Sequence, residues 1–180
     1  MTFSSSNDLL AVSSRNRYSN DRSYKYKLVV FSTRDGTKMW EYRASGVIPA
    51  ISFSPDENKI VIFEYYYISP EKIKGSVQIL SVKDGTVITK ITLPTAFRWL
   101  NSHPEKILQT SNRFILARVG YELKPSHVED VYVIDYNGQI IGKERVSYSS
   151  VDSKPYIILS NDEIVIIGNT NIKLYEVKEQ

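Results

Sequence analysis

The chain has 180 residues, of which 42% are hydrophobic and 24% charged, and its net charge at pH 7 is +3. This length suits about one domain with a real core, and the charge alone is too small to indicate nucleic-acid binding. The absence of cysteine excludes disulfides, thiolate metal sites and cysteine nucleophiles. No apolar run reaches the ~18 residues that a spanning helix needs, and the N-terminal residues lack the features of a secretory signal, so we expect a cytoplasmic protein.

A hydrophobic strand followed by a turn dipeptide occurs three times along the chain. The turn glycines lie 49 and 53 positions apart, and a fourth strand of the same kind, 172–175, has no turn after it. A strand-built period of about 50 residues is typical of a β-propeller. The three copies are 28–31 with Asp35-Gly36, 77–80 with Asp84-Gly85, and 131–134 with Asn137-Gly138.

The second repeat shows the strand pattern most clearly. Residues 48–54 alternate, the polar turn 55–58 follows, and 59–63 form a nearly continuous apolar run. Such a run is expected of a strand that is covered on both faces. Two further strands, 76–82 and 86–93, flank the Asp84-Gly85 turn. The sequence therefore predicts four antiparallel strands per repeat and an all-β fold.

The segment 51–62, Ile-Ser-Phe-Ser-Pro-Asp-Glu-Asn-Lys-Ile-Val-Ile, resembles the inner strands of WD40-like propellers, including the TolB-like and quinoprotein-like families. The Trp-Asp and Gly-His dipeptides of true WD40 repeats are absent. The resemblance implies one β-propeller domain over 1–180, with about four blades. The first and last blades are incomplete, and the repeats are approximately 1–44, 45–94, 95–147 and 148–180.

The incomplete terminal blades leave three arrangements open. The blades form a closed four-bladed ring, or they form an open half-propeller whose flat apolar faces need a cover, or the strands build a sandwich instead. A second copy of the chain, giving a homodimer, or a different protein subunit would cover an open face. We expect the open or partner-completed array, because WD40-like rings usually have more than four blades.

Long connections mark one face of the predicted propeller as a binding surface. The segments 13–25, 65–75 and 120–130 join second to third strands, and long connections are often functional. Within 15–27, cations alternate with aromatic residues, a composition that suits phosphate contact and base stacking or simply a solvated strand. Arg15, Arg17 and Arg22 are predicted to steer a partner electrostatically.

Three consecutive tyrosines, Tyr65, Tyr66 and Tyr67, end the second strand of the second repeat. Tyrosine is enriched in interface hot spots, and it is also a good strand residue. We therefore predict that these residues contact a partner, with at least one of them facing the core.

Catalytic signatures are few. The two histidines, His103 and His127, could bind a metal together with Glu129 or Asp130, but isolated surface histidines are far more common. The sequence contains no phosphate-binding loop, no nucleophile elbow and no EF-hand loop. We therefore predict no catalytic residues, no metal site and no cofactor.

The sequence favours a non-catalytic scaffold for protein–protein interaction. The predicted partner is another protein or a second copy of the chain, bound through the long-loop face, with assembly through the open terminal blades. The alternative is a nucleic-acid-binding accessory protein that uses residues 15–27. No membrane partner is predicted.

Overall fold

The computed structural model describes residues 1–17, 24–69, 72–98, 106–111, 113–123, 126–148, 156–159, 163–167 and 172–176. Every regular element among these residues is a β-strand, so the prediction of an all-β fold is confirmed. No helix in these described ranges is suited to crossing a membrane. The cytoplasmic location stays a prediction.

The strands form four antiparallel sheets, which we call blades 1 to 4, and in each sheet the spatial order follows the chain order. Blade 1 contains β1 (Thr2–Phe3), β2 (Leu9–Arg17), β3 (Tyr24–Ser32) and β4 (Lys38–Ala44). Blade 2 contains β5 (Val47–Phe53), β6 (Lys59–Ser69), β7 (Lys72–Ser81) and β8 (Val87–Arg98). Blade 3 contains β9 (Lys106–Thr110), β10 (Phe114–Leu123), β11 (Ser126–Asp135) and β12 (Ile140–Tyr148), and blade 4 contains β13 (Tyr156–Leu159), β14 (Glu163–Ile167) and β15 (Ile172–Glu176).

These blades match the four predicted repeats, including the incomplete first and last ones. The first strand of blade 1 has two residues, and blade 4 has three described strands. The chain divides into two compact units, Met1–Phe97 with blades 1 and 2, and Arg98–Gln180 with blades 3 and 4. The single domain over 1–180 and the open arrangement of the blades stay predictions.

Equivalent turns of blades 1 and 2 are built in the same way. Between the first two strands of each blade, one residue adopts a positive φ, 62° at Asn7 and 56° at Glu57. The amide of Ser4 donates to the carbonyl of Leu9, and that of Ser54 donates to the carbonyl of Lys59. The repeated backbone geometry confirms that the two segments are copies of one structural unit.

The turns between the third and fourth strands use an acidic side chain and a glycine. Asp35 Oδ1 accepts a hydrogen bond from the Thr37 amide at 3.2 Å, and Asp84 Oδ1 accepts one from the Thr86 amide at 3.0 Å. Gly36 and Gly85 have φ values of 70° and 74°, a region that glycine enters without steric cost. The predicted Asp-Gly turns therefore fix where the third strand ends and the fourth begins.

The predicted long connections between second and third strands are largely strand instead, which corrects the sequence analysis. Strand β6 continues to Ser69 and β7 begins at Lys72, so most of 65–75 is paired. Similarly, Arg15 pairs with Tyr26 and Gly120 with Glu129 across their hairpins. Hydrogen bonding between strands satisfies the backbone of these polar segments, which their composition alone did not reveal.

The core of the first unit lies between blades 1 and 2. The run 60–63 of β6 is buried on both faces, as its continuous apolar sequence predicts. In the second unit, Ile164 of blade 4 packs with residues of blade 3. The interface between blades 1 and 2 contains Ala11, Leu28, Val30, Trp40, Ile48, Phe53, Ile60, Ile62, Leu80 and Val82.

Candidate functional site

Four polar side chains gather where β2, β3 and β6 end, away from the Asp-Gly turns, and we call them the tyrosine cluster: Arg15, Tyr26, Tyr65 and Tyr67. Tyr65 and Tyr67 are two residues apart on β6, so they share one face of the sheet. Their rings meet edge to face with centroids 6.0 Å apart. Arg15 and Tyr26 lie directly opposite each other on neighbouring strands of blade 1. The structure thus brings Arg15 together with two of the three predicted tyrosines.

The centre of this cluster is a buried phenol. Burial raises the pKa of Tyr65 to about 12, and the neighbouring Tyr67 and Tyr26 raise it further while Arg15 lowers it. Tyr67 and Ile68, by contrast, expose 53% and 56% of their surface. The cluster therefore presents an apolar, aromatic surface with a cation beside it and a phenol that stays neutral at physiological pH.

The connection between blades 1 and 2 holds Tyr65 in place. A Cβ atom built at Gly46 would overlap the carbonyl oxygen of Tyr65, so only glycine permits this close approach. The Gly46 amide also donates a hydrogen bond of 2.6 Å to Glu64 Oε1. Both contacts fix the backbone of β6 at the point from which Tyr65 and Tyr67 project.

Glu64 itself is fully buried and lies in a polar network between the two blades. Its carboxylate accepts a hydrogen bond from the Gln78 side-chain amide, and Gln78 Oε1 accepts one of 2.8 Å from the Tyr42 hydroxyl. The ammonium of Lys90 lies 3.8 Å from Glu64 Oε2. Because a buried carboxylate is costly without partners, these contacts explain how the charge is tolerated.

An ion pair recurs at one place in blades 1, 2 and 3. Glu41, Lys90 and Lys143 are each the fifth residue after the turn glycine of their repeat. They pair respectively with Lys27 at 3.1 Å, Glu64 at 3.8 Å and Asp130 at 3.6 Å. The regular spacing of charge after each glycine was present in the sequence and was missed, because single charges on a strand look like solvated residues.

Blade 3 holds two buried carboxylates. Glu129 accepts hydrogen bonds of 3.1 and 2.5 Å from the guanidinium of Arg118, and Asp130 accepts two from Arg145 at 2.8 and 3.2 Å. Both carboxylates are therefore used in ion pairs within the blade. Among the side chains that the structure describes, no group of three or more metal-binding residues occurs. His103 and the side chain of His127 lie outside the described part of the chain.

The remaining predicted site residues are placed differently. Tyr66 is half-buried and alternates to the opposite face from Tyr65 and Tyr67. Tyr65 faces the interior, as expected of at least one of the three tyrosines. Arg22 and the side chain of Arg17 lie outside the described residues. Partner contact by these residues stays a prediction.

Comparison with known proteins identifies the architecture. No family model matches the chain. Its fold is similar to that of Pyrococcus horikoshii acylaminoacyl peptidase, at 15% identity and a TM-score of 0.61, over 96% of this chain and 30% of the peptidase. It is also similar to prolyl oligopeptidase B from Galerina marginata bound to a 25mer macrocyclization substrate, at 17% identity and a TM-score of 0.53, over 96% of this chain and 26% of that one. The fold is that of a β-propeller.

These similarities also correct the predicted function. The solved structures that share the fold are peptidases, so the prediction of a non-catalytic protein–protein interaction scaffold is wrong, and its nucleic-acid alternative gains no support. The chain spans about 30% of the length of the acylaminoacyl peptidases that it matches. At such low identity the similarity establishes the fold alone.

Proposed function

We propose that this chain is the propeller component of a peptidase-like hydrolase, and that it binds the peptide substrate while a separate hydrolytic domain cleaves it. The observation that carries this proposal is the fold match, which covers 96% of the chain but only 30% of the acylaminoacyl peptidase. More than two thirds of that peptidase has no counterpart here. A division of labour between substrate binding and cleavage fits this coverage, because ligand sites form preferentially between domains.

The second part of the proposal assigns peptide contact to the tyrosine cluster. Tyr67 is half-exposed beside the exposed Ile68, which gives an apolar surface for the side chains of a peptide. Arg15 supplies a positive charge next to it for a carboxylate of the peptide. Tyrosine offers a large contact area at low entropic cost, so a small cluster of this kind suits the binding of varied peptides.

The third part is that the chain itself does not hydrolyse peptides. The described carboxylates Glu129 and Asp130 are held in ion pairs by arginine side chains, an arrangement that suits structure better than proton transfer. The proposal retains the WD40-like character of the blades and the cytoplasmic location as expectations from the sequence.

The test uses the purified chain and two assays run side by side. Binding of a fluorescent N-acetylated peptide is followed by anisotropy, and hydrolysis is followed by peptide turnover and by labelling with a fluorophosphonate probe for active serines. We expect saturable binding without turnover or labelling. The variants Tyr67→Ser and Arg15→Gln should each weaken binding by about tenfold.

Met39→Ser is the matched control, because Met39 is similarly exposed but lies beside the turn at the opposite end of its strand. It should bind the peptide like the wild type. Turnover or probe labelling by the purified chain would overturn the division of labour. Absence of saturable binding, or equal loss in Met39→Ser and Tyr67→Ser, would overturn the role of the tyrosine cluster.

A further inference from the structure

The outermost strand of each blade is the edge of its sheet. Strands β4, β8 and β12 stand last in the order of their sheets, so no other described strand of their sheet pairs with their outer side. Such an edge offers a row of backbone amides and carbonyls to any extended chain that approaches it. Proteins usually protect an edge with charged side chains.

The three edges differ in this protection. Strand β4 carries Lys38, Glu41 and Arg43, and β12 carries consecutive charges at 143–145. The corresponding part of β8, residues 87–93, reads Val-Ile-Thr-Lys-Ile-Thr-Leu and has one charge. We call this segment the β8 edge.

Its one charge, Lys90, is not available to guard the edge. The Lys90 ammonium lies 3.8 Å from the buried Glu64 carboxylate of the same sheet. The remaining residues of the β8 edge are β-branched or leucine, the types that strands favour. Val87 and Ile88 expose 45% and 50% of their surface, and Thr92 is exposed as well. A flat, apolar, uncharged edge of this kind is a site for strand addition.

We propose that the β8 edge pairs antiparallel with the β8 edge of a second copy of this chain. The exposed groups are backbone donors and acceptors in extended conformation, so the occupant has to be another strand. Antiparallel pairing of identical strands is isologous, and each copy then supplies the strand that the other lacks. Centring the pairing on Thr89 sets Ile88 opposite Lys90 and keeps the two lysines from facing each other.

This interface is distinct from the tyrosine cluster and from the open faces of the terminal blades, and it does not depend on the proposed function. One pair of short strands buries little area, which suits a reversible association that depends on concentration. The pairing should therefore appear as a monomer–dimer equilibrium.

The experiment is sedimentation equilibrium of the full chain over a concentration series. We expect the mass to rise from 20.7 kDa towards twice that value with increasing concentration. The variant Ile88→Lys places a second, exposed charge on the edge and should weaken dimerisation by about tenfold or more. Circular dichroism and the Tm show that each variant is folded.

The repeat supplies matched controls. Met39, Ile88 and Ile141 are each the third residue after their turn glycine, and all three are exposed. Met39→Lys and Ile141→Lys should dimerise like the wild type, because their edges already carry charges. A wild type that stays monomeric throughout, a dimer unaffected by Ile88→Lys, or equal loss in all three variants would overturn the proposal.

Discussion

The indole nitrogen of Trp40 donates a hydrogen bond of 2.6 Å to the carbonyl oxygen of Val82. This bond joins the outermost strand of blade 1 to the residue that follows β7 in blade 2. Both residues belong to the apolar core between the blades. One side chain therefore contributes packing area and satisfies a buried carbonyl at the blade interface.

Replacement of Trp40 by phenylalanine keeps an aromatic ring but removes this donor. The Val82 carbonyl then lacks its side-chain partner, and we expect a loss of about 1–3 kcal/mol in the free energy of unfolding. Urea unfolding followed by circular dichroism measures it. An unchanged midpoint would show that the hydrogen bond does not stabilise the blade interface.

Gly85 allows the same tryptophan to lie against the turn of blade 2. A Cβ atom built on Gly85 would lie 2.6 Å from Trp40 Cε3, whereas one on Gly36, in the equivalent turn, would meet nothing within 4 Å. Both glycines have positive φ. Gly85→Ala and Gly36→Ala thus share the backbone strain, about 1 kcal/mol or more, but only Gly85→Ala disturbs Trp40.

We therefore expect Gly85→Ala to lower the Tm clearly more than Gly36→Ala, with a change in tryptophan fluorescence in the first variant alone. Equal shifts in Tm would mean that the core accommodates the extra methyl group, and the proposed tight contact between Gly85 and Trp40 would be wrong.

The recurring ion pairs differ in burial, and their energetic roles should differ accordingly. Glu64 is fully buried among hydrogen-bond donors, and Glu64→Gln replaces a charge-assisted acceptor beside Lys90 and Gly46. We expect a loss of about 2–3 kcal/mol. Glu41 occupies the repeated position in blade 1 but is solvated, so Glu41→Gln should change stability little.

Chemical denaturation of the two variants measures this difference. If Glu41→Gln proved as costly as Glu64→Gln, the exposed pairs would be as important as the buried one. If neither variant lost stability, the polar network between the blades would be dispensable.

The tyrosine cluster predicts a pH dependence at the alkaline end. Because burial raises the pKa of Tyr65 from its ordinary value of 10.0 to about 12, the folded protein holds this proton more tightly than the unfolded chain. The resulting stabilisation is fully present below pH 10 and is lost as the pH rises from 10 through 12.

Absorbance of tyrosinate during an alkaline titration measures this ionisation. The wild type should show one tyrosine that titrates near pH 12, and Tyr65→Phe should lack it and should lose less stability between pH 10 and 12. A Tyr65→Phe titration identical to that of the wild type would contradict the burial of this phenol.

Much of the architecture could be predicted because the repeat unit is local. The Asp-Gly turns, the apolar run 59–63 and the spacing of the glycines each reflect backbone or burial requirements within one blade. The strand extension of β2 and β6 could not be predicted in this way. Their polar residues, such as Arg15 and Asn16, resemble a loop until the partner strand that satisfies their backbone is known.

The candidate site was predicted in part for a related reason. Tyr65 and Tyr67 stand out as aromatic residues at a strand end, but burial of Glu64 between them and the next blade depends on Gly46 and Gln78 from other strands. Pairing of charges across strands is a tertiary property, and the regular position of Glu41, Lys90 and Lys143 after their glycines was its only trace in the sequence.

The central claim is that this propeller binds peptide without cleaving it. The most direct measurement is the anisotropy titration of a fluorescent N-acetylated peptide with the purified chain, followed by mass spectrometry of the same peptide. The account predicts saturable binding, weakened in Tyr67→Ser, and recovery of the intact peptide. Recovery of cleaved peptide, or no binding at any concentration, would contradict it.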